Sequence, residues 1–317
     1  MNNIHSILMV RPSSFRTNVQ TIENNYFQNL SKIGDKETLK KAQDEFDHLV
    51  KKIESFDIPV NVFQDDLTYD TPDSLFPNNW ISFHKNNKIA LYPMFAKNRR
   101  LERNENILKF LESNNVKIKS IFDYTIAEKN KQYLEGTGSM VLDRINKKVY
   151  ASISERTSEI LIDEFCEDFN YMPIVFKSYQ SHENVRKLIY HTNVMMCIAE
   201  KYSIICLDSI DCNIEKNKVF ESLKDDGKEI IEISSRQLNS FAGNMIELVY
   251  NNHSYLVMSA SAYKSLSKEQ IIKINKYSKI IFSDVSTIEY CGGGSVRCMI
   301  AEIYPRGRSI LTDPNIY

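Results

Sequence analysis

The sequence predicts an α/β chain of five pseudo-symmetric units, each a β-hairpin followed by a helix and a closing strand. Three observations lead there. Strand-like and helical runs alternate in one fixed order along the chain. Asn79, Glu135, His191, Asn244 and Cys298 stand at or just before the first strand of successive units, 56, 56, 53 and 54 residues apart. Finally, elements near the two chain ends complete one unit between them, which closes the series into a ring with no terminal repeat to cap.

The elements follow in order. Residues 4–10 read as a strand, and 36–56 as a helix whose Leu39, Phe46, Leu49, Ile53 and Phe56 form one apolar stripe. Residues 59–63 close that unit, with 296–304 as the strand on its other side. The next unit has strands 81–83 and 89–92 around the turn HKNNK, a helix over 99–112 and a strand over 118–122. The third has strands 140–144 and 149–153 around INKK, helix 157–169 with Ile160, Leu161, Phe165 and Phe169 at helical spacing, and strand 172–176. The fourth places strands 194–199 and 203–207 around EKY, helix 217–224 and strand 229–233; the fifth places strands 245–250 and 255–258 around NNHS, helix 267–274 and strand 279–282. Length alone suggests about two domains. The recurrence argues instead for a single catalytic domain over 1–317.

Composition excludes several classes. With 40 Lys+Arg against 41 Asp+Glu there is no electrostatic pull toward nucleic acid or an anionic membrane. No apolar run approaches the roughly 20 residues of a membrane span, and residues 4–10 are too short for a signal segment. The six cysteines show no CxxC pair and no metal spacing with histidine, so they read as reduced thiols of a cytoplasmic protein with no metal site. No cofactor is implied, because GTGS at 136–139 is not a GxGxxG signature and no phosphate-binding loop occurs.

GGGSVRCM (292–299) places three of nine glycines beside a thiol. A free cysteine is more often a buried apolar residue than a reactive one. Cys298 alone fits the unit spacing, which favours it over Cys291 as the exposed, reactive thiol. Cys166, Cys197 and Cys206 fall inside helix or strand and read as core. His5, His48, His84, His182 and His253 fall in strands, helix or turn tips, and Trp80 reads as packing. The basic stretch KNRRLER (97–103) reads as a solvated helix start. If the units are related by rotation about one axis, the five spaced positions converge on that axis. A carboxylate, an imidazole and a thiol then face one pocket.

The motifs FPNNW (76–80), LEGTGS (134–139), HTN (191–193), GNM (243–245) and GGGSVRCM (292–299), with MVRPSSF (9–15), resemble the amidinotransferase/arginine deiminase superfamily. The likeness is greatest to its citrulline utilisation hydrolase, amidinotransferase-like branch and covers nearly the whole chain. It implies a five-bladed α/β propeller, the pentein fold, and a small ureido or guanidino substrate. It also implies Cys298, His191 and Glu135 as the catalytic set. The thiolate attacks the central carbon of the substrate group to give a covalent thio-intermediate. His191 protonates the departing nitrogen and later activates water, while Glu135 orients His191 or holds substrate N–H groups. Gly136 and Gly138 let that loop approach the ligand.

Where arginine-processing members usually carry aspartates, this chain has Asn79 and Asn193, and Ser139 stands where an acid often follows the glycines. Asparagine suits a neutral ureido group, so a neutral ureido substrate such as citrulline, or a weakly basic guanidine, is expected. Asp65, Asp66, Asp70 or Asp73 nevertheless offers a replacement anion. Asn79, Asn193, Asn244, Gly136 and Arg156 are the substrate-binding candidates. Arg156 heads the choices for a carboxylate anchor, with Arg11 and Arg297 behind it. Transfer of an amidino group to an amine uses the same residues, and a non-catalytic binding module of this architecture lacks them. Oligomeric state stays open, and a homo-oligomer is admitted.

Overall fold

The computed structural model describes residues 3–183 and 185–304. In chain order the elements are β1 (Ser6–Arg11), α1 (Asp35–Glu54), β2 (Val60–Gln64), β3 (Ile81–His84), β4 (Lys88–Leu91), α2 (Glu105–Ser113), β5 (Ser120–Asp123), α3 (Gly136–Ser139), β6 (Met140–Asp143), β7 (Lys148–Ser152), α4 (Glu159–Phe169) and β8 (Met172–Phe176). They continue with β9 (Tyr179–His182), β10 (Val185–Leu188), β11 (Met196–Ile198), β12 (Tyr202–Ile205), α5 (Asn213–Asp225), β13 (Glu229–Glu232), α6 (Ser235–Leu238), β14 (Ile246–Tyr250), β15 (His253–Ser259), α7 (Ala260–Ser265), α8 (Lys268–Asn275), β16 (Lys279–Ser283), α9 (Ser286–Gly292) and β17 (Ala301–Ile303).

Five three-stranded sheets share one topology: β17-β1-β2, β3-β4-β5, β6-β7-β8, β11-β12-β13 and β14-β15-β16. In each, the middle strand pairs antiparallel with the first and parallel with the third. A parallel third strand cannot be reached by a tight turn, so helical chain intervenes before it every time. The antiparallel pairs need only short turns, and Asn86, Asn87, Asn251 and Asn252 supply them in the left-handed region that asparagine tolerates. β1 and β17 pair with Ser6 opposite Ile303, so the two ends of the described chain share one sheet. This is the mixed α/β unit order read from the sequence.

The differences have physical causes. The helix expected over 99–112 divides into a 3₁₀ turn, Asn98–Glu102, and α2, because Asn104 caps α2 by accepting the amide N–H of Asn106 at 2.9 Å. The strand expected over 296–304 begins as the 3₁₀ turn Val296–Met299 and extends only over β17. α4 buries Leu161, Ile162, Phe165 and Phe169 but leaves Ile160 63% exposed, so Ile162 takes the place expected for Ile160. The hairpin β9-β10 and helix α9 were unread in the sequence; they lie between units or lead into the Cys298 turn. Trp80 is a core residue, as read, and Met195 and Met196 are buried as well. Among the described residues no helix is long and apolar enough to cross a membrane.

Candidate functional site

Four of the five spaced residues sit in or beside a short helical turn that precedes the first strand of their unit, and Asn244 follows a non-helical turn. Asn79 ends the turn Pro77–Asn79, Glu135 precedes α3, His191 precedes the turn Thr192–Val194, Asn244 precedes β14 and Cys298 lies in the turn Val296–Met299. The structure buries all five and joins them in two hydrogen-bonded groups. His191 Nε2 is 2.8 Å from Glu135 Oε2. Asn193 Nδ2 and Asn244 Nδ2 each lie 3.4 Å from Cys298 Sγ, and Asn244 Nδ2 also donates to the Asn193 carbonyl at 3.1 Å. Asn79 Oδ1 accepts from Arg99 Nη1 at 2.9 Å. Asn193 and Asn244 were expected on the substrate; here they hold the sulfur. Asn79 is engaged by a guanidinium.

Glycines make this approach feasible. A Cβ on residue 138 would stand 2.4 Å from Asn79 Nδ2 and 2.7 Å from His191 Nδ1, distances that atoms do not tolerate. Gly136 was expected to admit a ligand, yet its bare face meets the Asn78 and Asn79 carbonyls, so it serves chain packing. Gly293 ends α9 at φ 61°, in the left-handed region, and packs on Asn25 and Gln28. We expect Gly138→Ala to push His191 and Asn79 apart and lower turnover about 10²-fold or more while the chain still folds, as circular dichroism will report. Wild-type turnover in that variant would remove the close approach from the argument.

Glu135 is the charge centre of the cluster. Its Oε1 accepts the Phe95 amide at 2.9 Å, and its Oε2 lies 3.5 Å from Arg156 Nη1 and 3.8 Å from Arg99 Nη1. Burial works to raise the Glu135 carboxyl, but Arg156, His191 and Arg99 outweigh it and hold it well below the usual carboxylate range. Burial pushes the His191 imidazole down to about 4, against the hydrogen bond and charge of Glu135. A neutral imidazole that donates from Nε2 to Glu135 leaves Nδ1 as its proton acceptor.

This pair makes stability pH-dependent. Between the folded value near 4 and the usual 6.5, the unfolded chain binds more proton at His191, so stability falls as pH drops through that window. Glu135, held ionised in the fold, adds a further loss at still lower pH. The unfolding midpoint should therefore fall on acidification from neutral pH, with a shallower slope in His191→Gln. Equal slopes in the two proteins would exclude His191 as the source.

Two residues unassigned in the sequence join the site. Arg99, read as part of a solvated helix start, is only 2% exposed and forms a two-point pair with Glu102 at 2.9 and 3.0 Å. Asp73, among four aspartates offered as a replacement anion, is the one buried here, 3.7 Å from Arg99 and 2.7 Å from Asn18 Nδ2. Asp73 Oδ1 is buried with no hydrogen-bond partner. Asp70 instead pairs with Arg16 near the surface. Arg156 donates to Asn24 Oδ1 at 3.0 Å and to the Thr21 carbonyl at 3.2 Å, besides facing Glu135. The other proposed anchors lie elsewhere: Arg11 pairs with Asp47 at 2.8 Å, and the Arg297 side chain turns to Glu302 at 3.2 Å.

Burial of the thiol overturns a further expectation. Cys298 was expected to be exposed but is 2% exposed. Asn18, Thr21 and Asn24 reach Asp73 and Arg156, and Asn25 Nδ2 donates to the Gly293 carbonyl at 3.3 Å, so the segment between β1 and α1 covers the site. Tyr190 reinforces the glycine loop from within, its hydroxyl donating to the same Gly293 carbonyl at 2.5 Å. All six cysteines are free thiols, and among the described residues no group of three or more His, Cys, Asp or Glu is arranged to hold a metal.

This chain of five like α/β units belongs to the amidinotransferase/arginine deiminase superfamily. Within it, the chain belongs to the family described as N,N dimethylarginine dimethylhydrolase, eukaryotic, whose sequence model matches residues 11–305. Comparison with curated proteins gave no match. Among solved structures, apo ArgZ, an arginine dihydrolase from cyanobacteria, is 16% identical with a TM-score of 0.71 over 96% of this chain. The chain spans 41% of that protein, whereas it spans 98% of the ArgZ N-terminal domain solved with product, at 16% identity and a TM-score of 0.72. A histidine-to-glycine variant of dimethylarginine dimethylaminohydrolase, solved as an adduct with S-methyl-L-thiocitrulline, is 14% identical with a TM-score of 0.62 over 95% of this chain and 100% of its own.

Proposed function

We propose that this chain is a cysteine-dependent hydrolase that cleaves a linear C–N bond in a ureido or guanidino amino acid. The observation that carries it is the 2.8 Å Glu135–His191 contact within the same convergence that sets Asn193 and Asn244 on the Cys298 sulfur. We read the five like sheets as blades of a propeller around that centre, and the chain as one catalytic domain. Six free thiols suit a reducing compartment such as the cytoplasm.

In this reading Cys298 adds to the central carbon of the substrate group. The thiol proton passes to His191 Nδ1 as the C–S bond forms, and the protonated imidazole gives it to the departing nitrogen as the C–N bond breaks. Water then attacks the thio-intermediate, gives its proton to His191 and releases the sulfur. Glu135 keeps the imidazole oriented and stabilises its protonated form.

The head group of the amino acid has a matching site. Arg156 and Arg99 offer guanidiniums to its carboxylate, and the unpartnered Asp73 Oδ1 offers an acceptor to its ammonium. Asn24 and Thr21 on Arg156 then act as stand-ins that substrate displaces, which requires residues 12–34 to move. We expect Arg156→Lys and Asp73→Asn to raise KM about 10- to 100-fold with a smaller change in kcat. Unchanged KM in both variants would remove the head-group site.

Burial pushes the Glu102 carboxyl up to about 8, against its pairing with Arg99. The deciding experiment is product analysis with citrulline, arginine and dimethylarginine offered separately, with and without an amine acceptor. Release of ornithine or citrulline into water supports a hydrolase; transfer to the amine reassigns the chain as a transferase. No turnover of any of the three, by protein whose Cys298 is intact, sinks the reading.

A further inference from the structure

A cavity of about 80 Å³ is lined by Asn193, Arg144, Arg297, Glu302 and Tyr304 among others, but by none of Glu135, His191, Cys298, Arg99 or Arg156. Its charges do not cancel. The Arg144 and Arg297 side chains are 10% and 11% exposed, and Glu302 serves both, 3.2 Å from Arg297 Nη1 and 4.0 Å from Arg144 Nη2. Arg144 otherwise lies over the Tyr304 ring at 4.4 Å and beside His84 Nδ1 at 3.3 Å. Burial pushes that imidazole far below its usual value, so it carries no charge to offset.

The other acids that line the cavity are engaged elsewhere. Asp143 pairs with Lys228 at 2.9 Å. Glu247 accepts from Ser254 Oγ and the Glu200 amide, each at 2.7 Å, and burial pushes its carboxyl up toward the neutral form. Glu200 is partly exposed and lies 3.9 Å from Lys201. Two guanidiniums thus share one carboxylate in a half-enclosed space. A buried cation short of a partner is expensive, and a guanidinium fork matches a planar oxyanion.

We propose that this cavity binds a small planar oxyanion, of the carboxylate or nitrate type, on Arg144 and Arg297, and that its occupancy slows the chemistry of Cys298. Two contacts connect the sites. Asn193 lines the cavity while its Nδ2 rests 3.4 Å from the sulfur. The Arg297 amide donates at 3.1 Å to Asn244 Oδ1, and Asn244 Nδ2 is 3.4 Å from the same sulfur. An anion between the arginines removes positive potential next to a thiol that reacts as its anion, so the rate falls.

The test uses the full chain, with sodium nitrate replacing sodium gluconate at constant ionic strength, gluconate being too bulky for the cavity. Wild-type protein should show a saturable rise in unfolding midpoint and about threefold slower alkylation of Cys298 by neutral iodoacetamide, followed by peptide mass. Arg144→Gln should lose both responses. A wild-type midpoint indifferent to nitrate, or an Arg144→Gln response equal to wild type, overturns the site; a midpoint rise with unchanged alkylation overturns the coupling. Should Arg144→Gln not fold, wild-type crystals grown in nitrate decide: planar density between Arg144 and Arg297 supports the site, and its absence overturns it.

Discussion

Cys298→Ala is expected to abolish turnover, lowering kcat about 10⁵-fold, while the protein stays folded and still binds substrate. A thiolate is the strongest nucleophile among the side-chain types at the site, and Asn193 and Asn244 donate to the sulfur without being able to replace it. Alanine removes one buried atom from a packed turn, a change of about 1 kcal/mol in stability that leaves the fold intact. The measurements are steady-state kinetics, with an unfolding midpoint in the presence and absence of substrate. Residual turnover within tenfold of wild type, by protein of verified sequence, would show that the thiol is not the nucleophile.

Glu135→Gln should lower kcat about 10³- to 10⁴-fold, with less change in KM. The substitution preserves shape but removes the charge that stabilises protonated His191 and faces Arg156 and Arg99. It also leaves buried guanidiniums short of a partner, so stability should fall by about 3 kcal/mol. Because Gln retains a carbonyl to accept from His191, the kinetic loss separates the electrostatic role from mere orientation. A variant with full kcat and reduced stability would make Glu135 structural only.

Much of the fold was legible because its signals are local. Turn residues such as Asn86 and Asn251, strand alternation and the apolar stripe of α1 are written within a few residues of one another, and they recur in one order. The spacing of Asn79, Glu135, His191, Asn244 and Cys298 was legible for the same reason: like units place like positions at near-equal intervals. The Glu135–His191 contact and the approach of Asn244 to Cys298 join residues of that spaced set, whereas Asn193 entered only through the motif HTN, and both asparagines were expected to touch substrate.

Arg99 shows where such reading stops. In KNRRLER it is one cation among several, and nothing within that stretch distinguishes a solvated arginine from one enclosed by Asp73, Glu102 and Asn79. Only packing against distant chain decides which it is. The same holds for Asp73 among its neighbouring aspartates, and for Cys298, whose burial no local pattern signals.

The order of strands and helices and the unit that recurs were therefore decided by the chain's own letters, since these depend on short-range preference and regular spacing. Which cations and anions share the buried centre, which segment covers it and which asparagines face the sulfur were decided by folding. Burial and pairing are properties of groups brought together from far apart, and they set charge and reach at a distance that local pattern does not encode.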